Sequence, residues 1–158
     1  MVGRTNAAQA ILRLPQKERL VVMPLDSSLI GHTSAPATFE VTREAVQHFM
    51  EATEDPALQD GRPLEYAPPT FPTTFRMRIP GLVLDATRMQ LLHGEQEYNY
   101  IRRLRIGEKV SCAVRVVDVR EHSGRSGHMT FLVSETTGTD SDKQTVFTAR
   151  SVSIIRVK

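Results

Sequence analysis

The sequence predicts an α+β fold in which an antiparallel sheet lies against one thin apolar layer of helix. Three observations carry that expectation. Extended runs through 95–104, 109–121, 129–137 and 144–157 read as long strands, the first with clear period-two alternation. Ala45, Val46, Phe49 and Met50 keep the spacing of an amphipathic helix. The segments HSGRSGH and GTDSDK, rich in turn residues, separate the last three runs. Few helical segments beside several long strands make an α+β layout in which the sheet wraps the helical layer.

Residues 1–28 read as an N-terminal extension. Asn6 to Leu14 can make two or three helical turns before Pro15, QKER is charged, and Leu20 to Leu25 is apolar but carries Pro24, which disfavours a central strand. The segment 29–158 then reads as one domain. TFEV from Thr38 is a short strand. Thr42 is placed to cap the helix that follows, Glu44 sits in its favourable first turn, and Asp55-Pro56 ends it. In Tyr66 to Phe75, Pro68 and Pro69 fix φ and remove two amide donors, which suits a buried loop leading into a helix. Pro72, Pro80 and Gly81 leave only about two turns for that helix between Thr73 and Ile79. Asp85 to Leu92 is expected as a further short helix, with Asp85 as N-cap, Leu84, Met89 and Leu92 on one side and Gly94 at its end. Glu95 to Leu104 then places Gln96, Tyr98 and Tyr100 on one strand face and Glu97, Asn99 and Ile101 on the other, before Arg105 to Glu108 turns the chain. The four long strands read as a meander. Its open edges call for pairing with a second copy or a homologue.

A chain of 158 residues, 40% of them hydrophobic, suffices for one domain with a real core. The net charge is +2, and 16 of the 20 basic residues are arginine, which favours forked contacts to carboxylate or phosphate over diffuse attraction to nucleic acid. Cys112, the one cysteine, can form neither an internal disulfide nor a zinc site, which makes the cytoplasm the default compartment. No apolar run approaches the ~20 residues of a membrane span, and the N-terminus lacks the apolar block of a signal peptide. A soluble protein with neither nucleic-acid nor membrane partner is expected.

The blocks YAPPTF, LLHGEQEYNYIRRLRIGEKV, VRVVDVREHSGRSGHMTFLVSET and VFTARSVSIIRV resemble the MaoC-like hot dog dehydratases, and within them the FAS1-like dehydratase N-terminal domain branch, to which the mycobacterial subunits of long-chain hydroxyacyl-carrier-protein dehydratase also belong. The resemblance runs from about Leu29 to the C-terminus. It implies a hot dog fold with a short or broken central helix, dimerising into a double hot dog. It also implies a CoA or acyl-carrier-protein thioester as ligand, no metal or redox cofactor, and (R)-specific hydration of a trans-2-enoyl thioester or its reverse. Active members carry an Asp-x-Asn-Pro-Leu-His pattern after the first helix. The matching stretch is Thr53-Glu54-Asp55-Pro56-Ala57-Leu58, which puts Thr53 in the aspartate slot and Leu58 in the histidine slot. A register one residue along offers Glu54 and Gln59, and glutamine cannot shuttle a proton. The resemblance therefore points to an acyl-chain-holding subunit working with a dyad-bearing homologue. The other readings are a non-catalytic acyl-CoA-binding homodimer and a thioesterase using a lone carboxylate, Glu54 or Glu95.

On the same resemblance, Tyr66, Pro69, Thr70, Phe71, Phe75, Leu82, Leu84 and Met89 would bind substrate along an acyl channel, with Arg102 and Arg103 as substrate-binding cations. As a bare pattern the apolar ones are core. His93 and Glu95, two apart on a strand, would face the same way and could form a substitute acid and base pair; equally, Glu95 can pair with an arginine. Glu44 and His48 could meet across one helical turn, or lie solvated. Arg76, Arg78, Arg102, Arg103 and Arg105 could receive CoA phosphates or a carrier protein, or could pair with Glu95, Glu97 and Glu108.

Overall fold

The computed structural model describes residues 25–61, 63–79, 82, 89–124 and 127–157. Five antiparallel strands form one curled sheet: β1 (Ala37–Glu40), β2 (Met89–Tyr100), β3 (Lys109–Gly124), β4 (Gly127–Thr139) and β5 (Thr145–Val157), in the order β1-β3-β4-β5-β2. Among the described residues the helical layer is α1 (Arg43–Ala52) and the 3-10 turns Ser27–Leu29, Pro56–Leu58 and Phe71–Thr74. None of these helices is long and apolar enough to cross a membrane.

The expected start of the fold is present. Thr42 keeps an extended backbone while its hydroxyl accepts from the Ala45 amide at 3.2 Å, and Val46 and Met50 face inward with Phe49 half-buried beside them. The helix closes when Glu54 turns to φ 52° and the Asp55 amide returns to the Met50 carbonyl at 2.8 Å. Asp55 then accepts from the Ala57 amide at 2.9 Å and caps the Pro56–Leu58 turn.

Three expectations do not hold. The four long strands are not a simple meander, because β2 pairs with β5 and not with its sequence neighbour β3. The edge of β3 that β2 would use is taken by 31–40: β1 pairs Ala37 with Cys112 through Glu40 with Lys109, and the Gly31 and Ser34 amides reach the Val116 and Val114 carbonyls at 2.8 Å. The chain therefore crosses the end of the sheet through 101–108. It is pinned there by Ala67 N–H to Leu104 C=O at 3.0 Å, Ile106 N–H to Glu65 C=O at 2.9 Å and Gly107 N–H to Val41 C=O at 2.7 Å. Next, Met89 to Leu92 is strand and not the end of a helix, since each residue pairs with β5, Leu91 opposite Ile155 and Leu92 opposite Ile154. Cross-strand partners outweigh local helix spacing here. Asp85 and Leu84 lie outside the described residues. Gly94 ends nothing; it is the bulge between His93 and Glu95. Finally, the two turns expected between Thr73 and Ile79 reduce to the single 3-10 turn Phe71–Thr74, after which the backbone to Ile79 is irregular.

The main core joins the concave side of the sheet to this thin layer. Val110, Cys112, Val146, Phe147 and Ala149 pack against Val46, Met50, Ala67, Phe71 and Leu104. Phe75 stacks on Phe39 at 4.6 Å and meets the Phe71 ring edge-on at 5.7 Å. A second cluster, Leu29, Val116, Leu132 and Ile155, closes the far end with Leu82 and Met89 against it. Space is left between the two clusters, and no long helix among the described residues fills it.

Candidate functional site

That space is an open cavity of about 740 Å³. Its floor is the concave face of the sheet, with Leu91, His93, Gln96 and Tyr98 from β2, Val114 from β3, Ser134 and Thr136 from β4, and Phe147, Ala149, Ser151 and Ser153 from β5. The opposite wall is the irregular segment Pro72, Thr73, Phe75, Arg76, Met77 and Ile79. The Gly94 bulge decides what β2 contributes. It adds one residue to the strand, so His93 on one side and Gln96 and Tyr98 on the other all face the cavity. The substitute pair is thereby broken. Glu95 falls on the convex face, where it lies 3.6 Å from the Arg150 guanidinium, while His93 stays in the cavity.

Tyr98 sits beside Phe147 at 6.2 Å, and burial pushes its pKa up to about 12, so the phenol stays neutral. Tyr100 is raised further, by burial and then by the charge Tyr98 would carry; its hydroxyl donates to the Pro69 carbonyl at 2.6 Å. That bond ties β2 to the proline loop.

The loop that resembles a dyad loop stands apart from the cavity floor. The Thr53 hydroxyl donates back to the Phe49 and Met50 carbonyls at 2.9 and 3.3 Å, and Leu58 packs half-buried against the main core. Glu54 and Gln59 are exposed. Asp55 lies instead in a smaller depression of about 390 Å³ with Tyr66, Pro69 and Arg103.

The remaining candidates divide. Of the described apolar residues expected along a channel, Phe75 lines the cavity. Phe71 is buried beneath it in the core, Leu82 and Met89 belong to the far cluster, and Thr70 is an exposed residue whose carbonyl accepts from the Thr73 hydroxyl at 2.8 Å. They part because the shortened helix turns Phe71 down into the core. Arg102 is not a free phosphate ligand. Its fork holds Glu108 at 2.8 Å and Asp140 at 3.1 Å, and Glu108 also accepts from the Arg105 amide at 2.5 Å. Asp140 is held below the usual carboxylate range by the Gln144 amide first and by Arg102 second. Arg103 lies 4.2 Å over the Tyr66 ring and Arg105 at 5.7 Å. Arg76 stands exposed at the cavity and Arg78 beyond it; Glu44 and His48 are exposed on α1. Among the described residues no three His, Cys, Asp or Glu side chains are grouped to hold a metal ion.

The family model for the FAS1-like dehydratase domain region matches residues 28–149. The chain belongs to that family. A UPF0336 protein of Saccharopolyspora erythraea is 32% identical over 151 residues, covering 85% of this chain and 93% of its own. The shape matches a chain of the HadBC (3R-hydroxyacyl-ACP dehydratase) complex of Mycobacterium tuberculosis with TM-score 0.61 at 19% identity, covering 80% of this chain and 96% of that one. It also matches a chain of the ChsH1-ChsH2 complex of the same organism with TM-score 0.57 at 20% identity, covering 77% and 83%. The fold is the hot dog fold. In this FAS1-like dehydratase domain the central helical segment is, among the described residues, the single turn Phe71–Thr74, and the sheet residues left open to the cavity include four not expected from the sequence: Ser134, Thr136, Ser151 and Ser153. Their signal was legible, since hydroxyl side chains recur at period two in SET and in RSVS.

Proposed function

We propose that this chain is the acyl-chain-holding subunit of an (R)-specific enoyl-thioester hydratase, which in reverse is a 3-hydroxyacyl-thioester dehydratase, and that a homologous hot dog subunit carries the aspartate and histidine. One observation carries the proposal. Both dyad slots are committed to structure, the Thr53 hydroxyl to helix carbonyls and the Leu58 side chain to the core. Neither can take up or deliver a proton at neutral pH.

The geometry of the cavity supports this division of labour. Hydration adds hydroxide to Cβ and a proton to Cα of the enoyl thioester; the partner's dyad handles both, and this chain holds the acyl group in a cavity of about 740 Å³, within the range of small-molecule sites. CoA or an acyl carrier protein delivers the thioester, and no metal or redox cofactor takes part. Arg76, exposed at the cavity, is the cation best placed to meet a carrier phosphate. Support for a two-subunit assembly comes from the HadBC and ChsH1-ChsH2 complexes that share the fold. It also comes from β2, an edge strand with Leu91 54% and Leu92 41% exposed, which can extend the sheet into a second hot dog. Placement in the cytoplasm belongs to the same proposal, in keeping with the free thiol of Cys112.

The test is hydration of trans-2-enoyl-CoA by the purified chain, alone and mixed with a dyad-bearing hot dog protein encoded beside it. Silence alone and turnover by the pair are expected. An ordinary enzymatic rate from the chain alone would overturn the reading and direct mutagenesis to His93. A homodimer that binds acyl-CoA without turnover remains the second reading, favoured by the same free edge; it predicts saturable binding and no recoverable partner. Thioester hydrolysis through a lone carboxylate loses ground, because neither Glu54 nor Glu95 lines the cavity.

A further inference from the structure

The cavity floor is not the surface that a plain alkyl chain requires. Across β4, β5 and β2, Ser134 stands opposite Ser151 and Ser151 opposite Gln96. One row along, Thr136 stands opposite Ala149 and Ala149 opposite Tyr98; one row the other way, Ser153 stands opposite His93. Rows on one face of a strand repeat every ~7 Å, with neighbouring strands ~5 Å apart, so hydroxyls run for ~14 Å along the floor. The rest of the lining is mostly apolar, with Leu91, Val114, Phe147 and Ala149 in the floor and Phe75, Met77 and Ile79 opposite, where Thr73 and Arg76 are the polar members.

These hydroxyls are unspent. The side chains of Ser134, Thr136, Ser151 and Ser153 make no hydrogen bond to another described residue. Ser134 is only 6% exposed, yet among the described residues no fully buried polar side-chain atom lacks a partner, so its oxygen opens onto the cavity it lines. Water satisfies such groups while the cavity is wet. A hydrocarbon laid over them would expel that water and leave each one unpaired, weakening binding on the order of tenfold per hydroxyl.

Resting on the acyl-holding role given above, we propose that this cavity takes an oxygenated chain, bearing hydroxyl or carbonyl groups along the edge that meets Ser134, Thr136, Ser151 and Ser153 and hydrocarbon along the edge that meets Phe75 and Met77. Two parts of an acyl thioester present that chemistry, a hydroxyl- or keto-substituted acyl group and the amide-bearing pantetheine arm. Calorimetric binding to the full chain separates them, using decanoyl-CoA, a decanoyl-CoA with hydroxyl and keto groups at mid-chain carbons, and free pantetheine. An oxygenated acyl group in the cavity predicts at least tenfold tighter binding of the substituted thioester. It also predicts loss of that preference in the Ser134→Ala/Ser151→Ala variant, with decanoyl-CoA held as well or better. Should the hydroxyls hold the pantetheine arm, both thioesters weaken by the same factor in the variant and free pantetheine competes. Equal affinities for the two thioesters, unchanged in the variant, overturn this inference and leave the acyl-holding role standing. Failure of any acyl-CoA to bind overturns both. The comparison of ligands on the unaltered chain decides the matter even where the variant does not fold.

Discussion

Replacing Gly138 by alanine should destabilise the protein, against the usual benefit of removing a strand glycine. Gly138 lies directly opposite Phe147 in the β4–β5 ladder, and the Phe147 ring lies over it. A Cβ there would overlap the ring edge, with Cζ at 2.8 Å and Cδ1 at 2.9 Å. The ring has little room to retreat, since it is 1% exposed and flanked by Tyr100 at 5.6 Å and Tyr98 at 6.2 Å. An ordinary strand Gly→Ala change would gain about 0.5–1 kcal/mol from backbone entropy. Overpacking of a tight core costs about 1–3 kcal/mol. With the overlap against a ring held on both sides the cost lies in the upper half of that range, so the net loss is about 1–2.5 kcal/mol, which for a domain of this size lowers Tm by roughly 2–10 °C. Thermal unfolding by circular dichroism measures it. In a double-mutant cycle with Phe147→Leu the two changes should couple, because the smaller side chain leaves space for the new methyl group. An unchanged or higher Tm for Gly138→Ala, or strict additivity in the cycle, would refute the idea that Gly138 exists to seat the ring that floors the cavity.

Other outcomes follow from the same structure. Thr53→Val should cost no more than about 1 kcal/mol and leave turnover by the assembled pair within twofold, as read by melting and by hydration rate; a hundredfold loss of rate would show that the hydroxyl reaches substrate. Arg102→Met strands Glu108 and Asp140 together and should lower Tm, with Arg102→Lys recovering only part of it because an ammonium cannot reproduce the fork, and with both effects shrinking in high salt. Burial raises the pKa of Tyr98 and of Cys112 to about 12 each. A group raised in the folded state contributes stability that is complete below its unfolded pKa and is lost as pH rises towards the folded value. Tm should therefore decline from about pH 9, where the unfolded thiol begins to ionise, and more steeply above about pH 10, where the unfolded phenol does. Tyr98→Phe should flatten the decline above pH 10, and identical curves for the two proteins would contradict the burial assigned to that phenol.

How far the sequence reaches is plain from particular elements. The cap at Thr42, the inward face of α1 and the long strands β3 to β5 could all be read from it. Each rests on local chemistry: a side chain that bonds three residues on, or a periodicity. The partner of β2, the strand character of Met89 to Leu92 and the opposite facing of His93 and Glu95 could not. All three depend on residues of 31–40 and of β5, far away in sequence, which occupy the β3 edge and impose the bulge at Gly94. The arginines divide for the same reason, Arg102 being claimed by Asp140, which only folding brings to it. The sequence by itself determined which of the long segments extend and which one coils, because those are properties of neighbours along the chain. Only the tertiary structure decided which side chains share the cavity, among them the serine and threonine hydroxyls of β4 and β5, because facing across a sheet is set by pairing between strands.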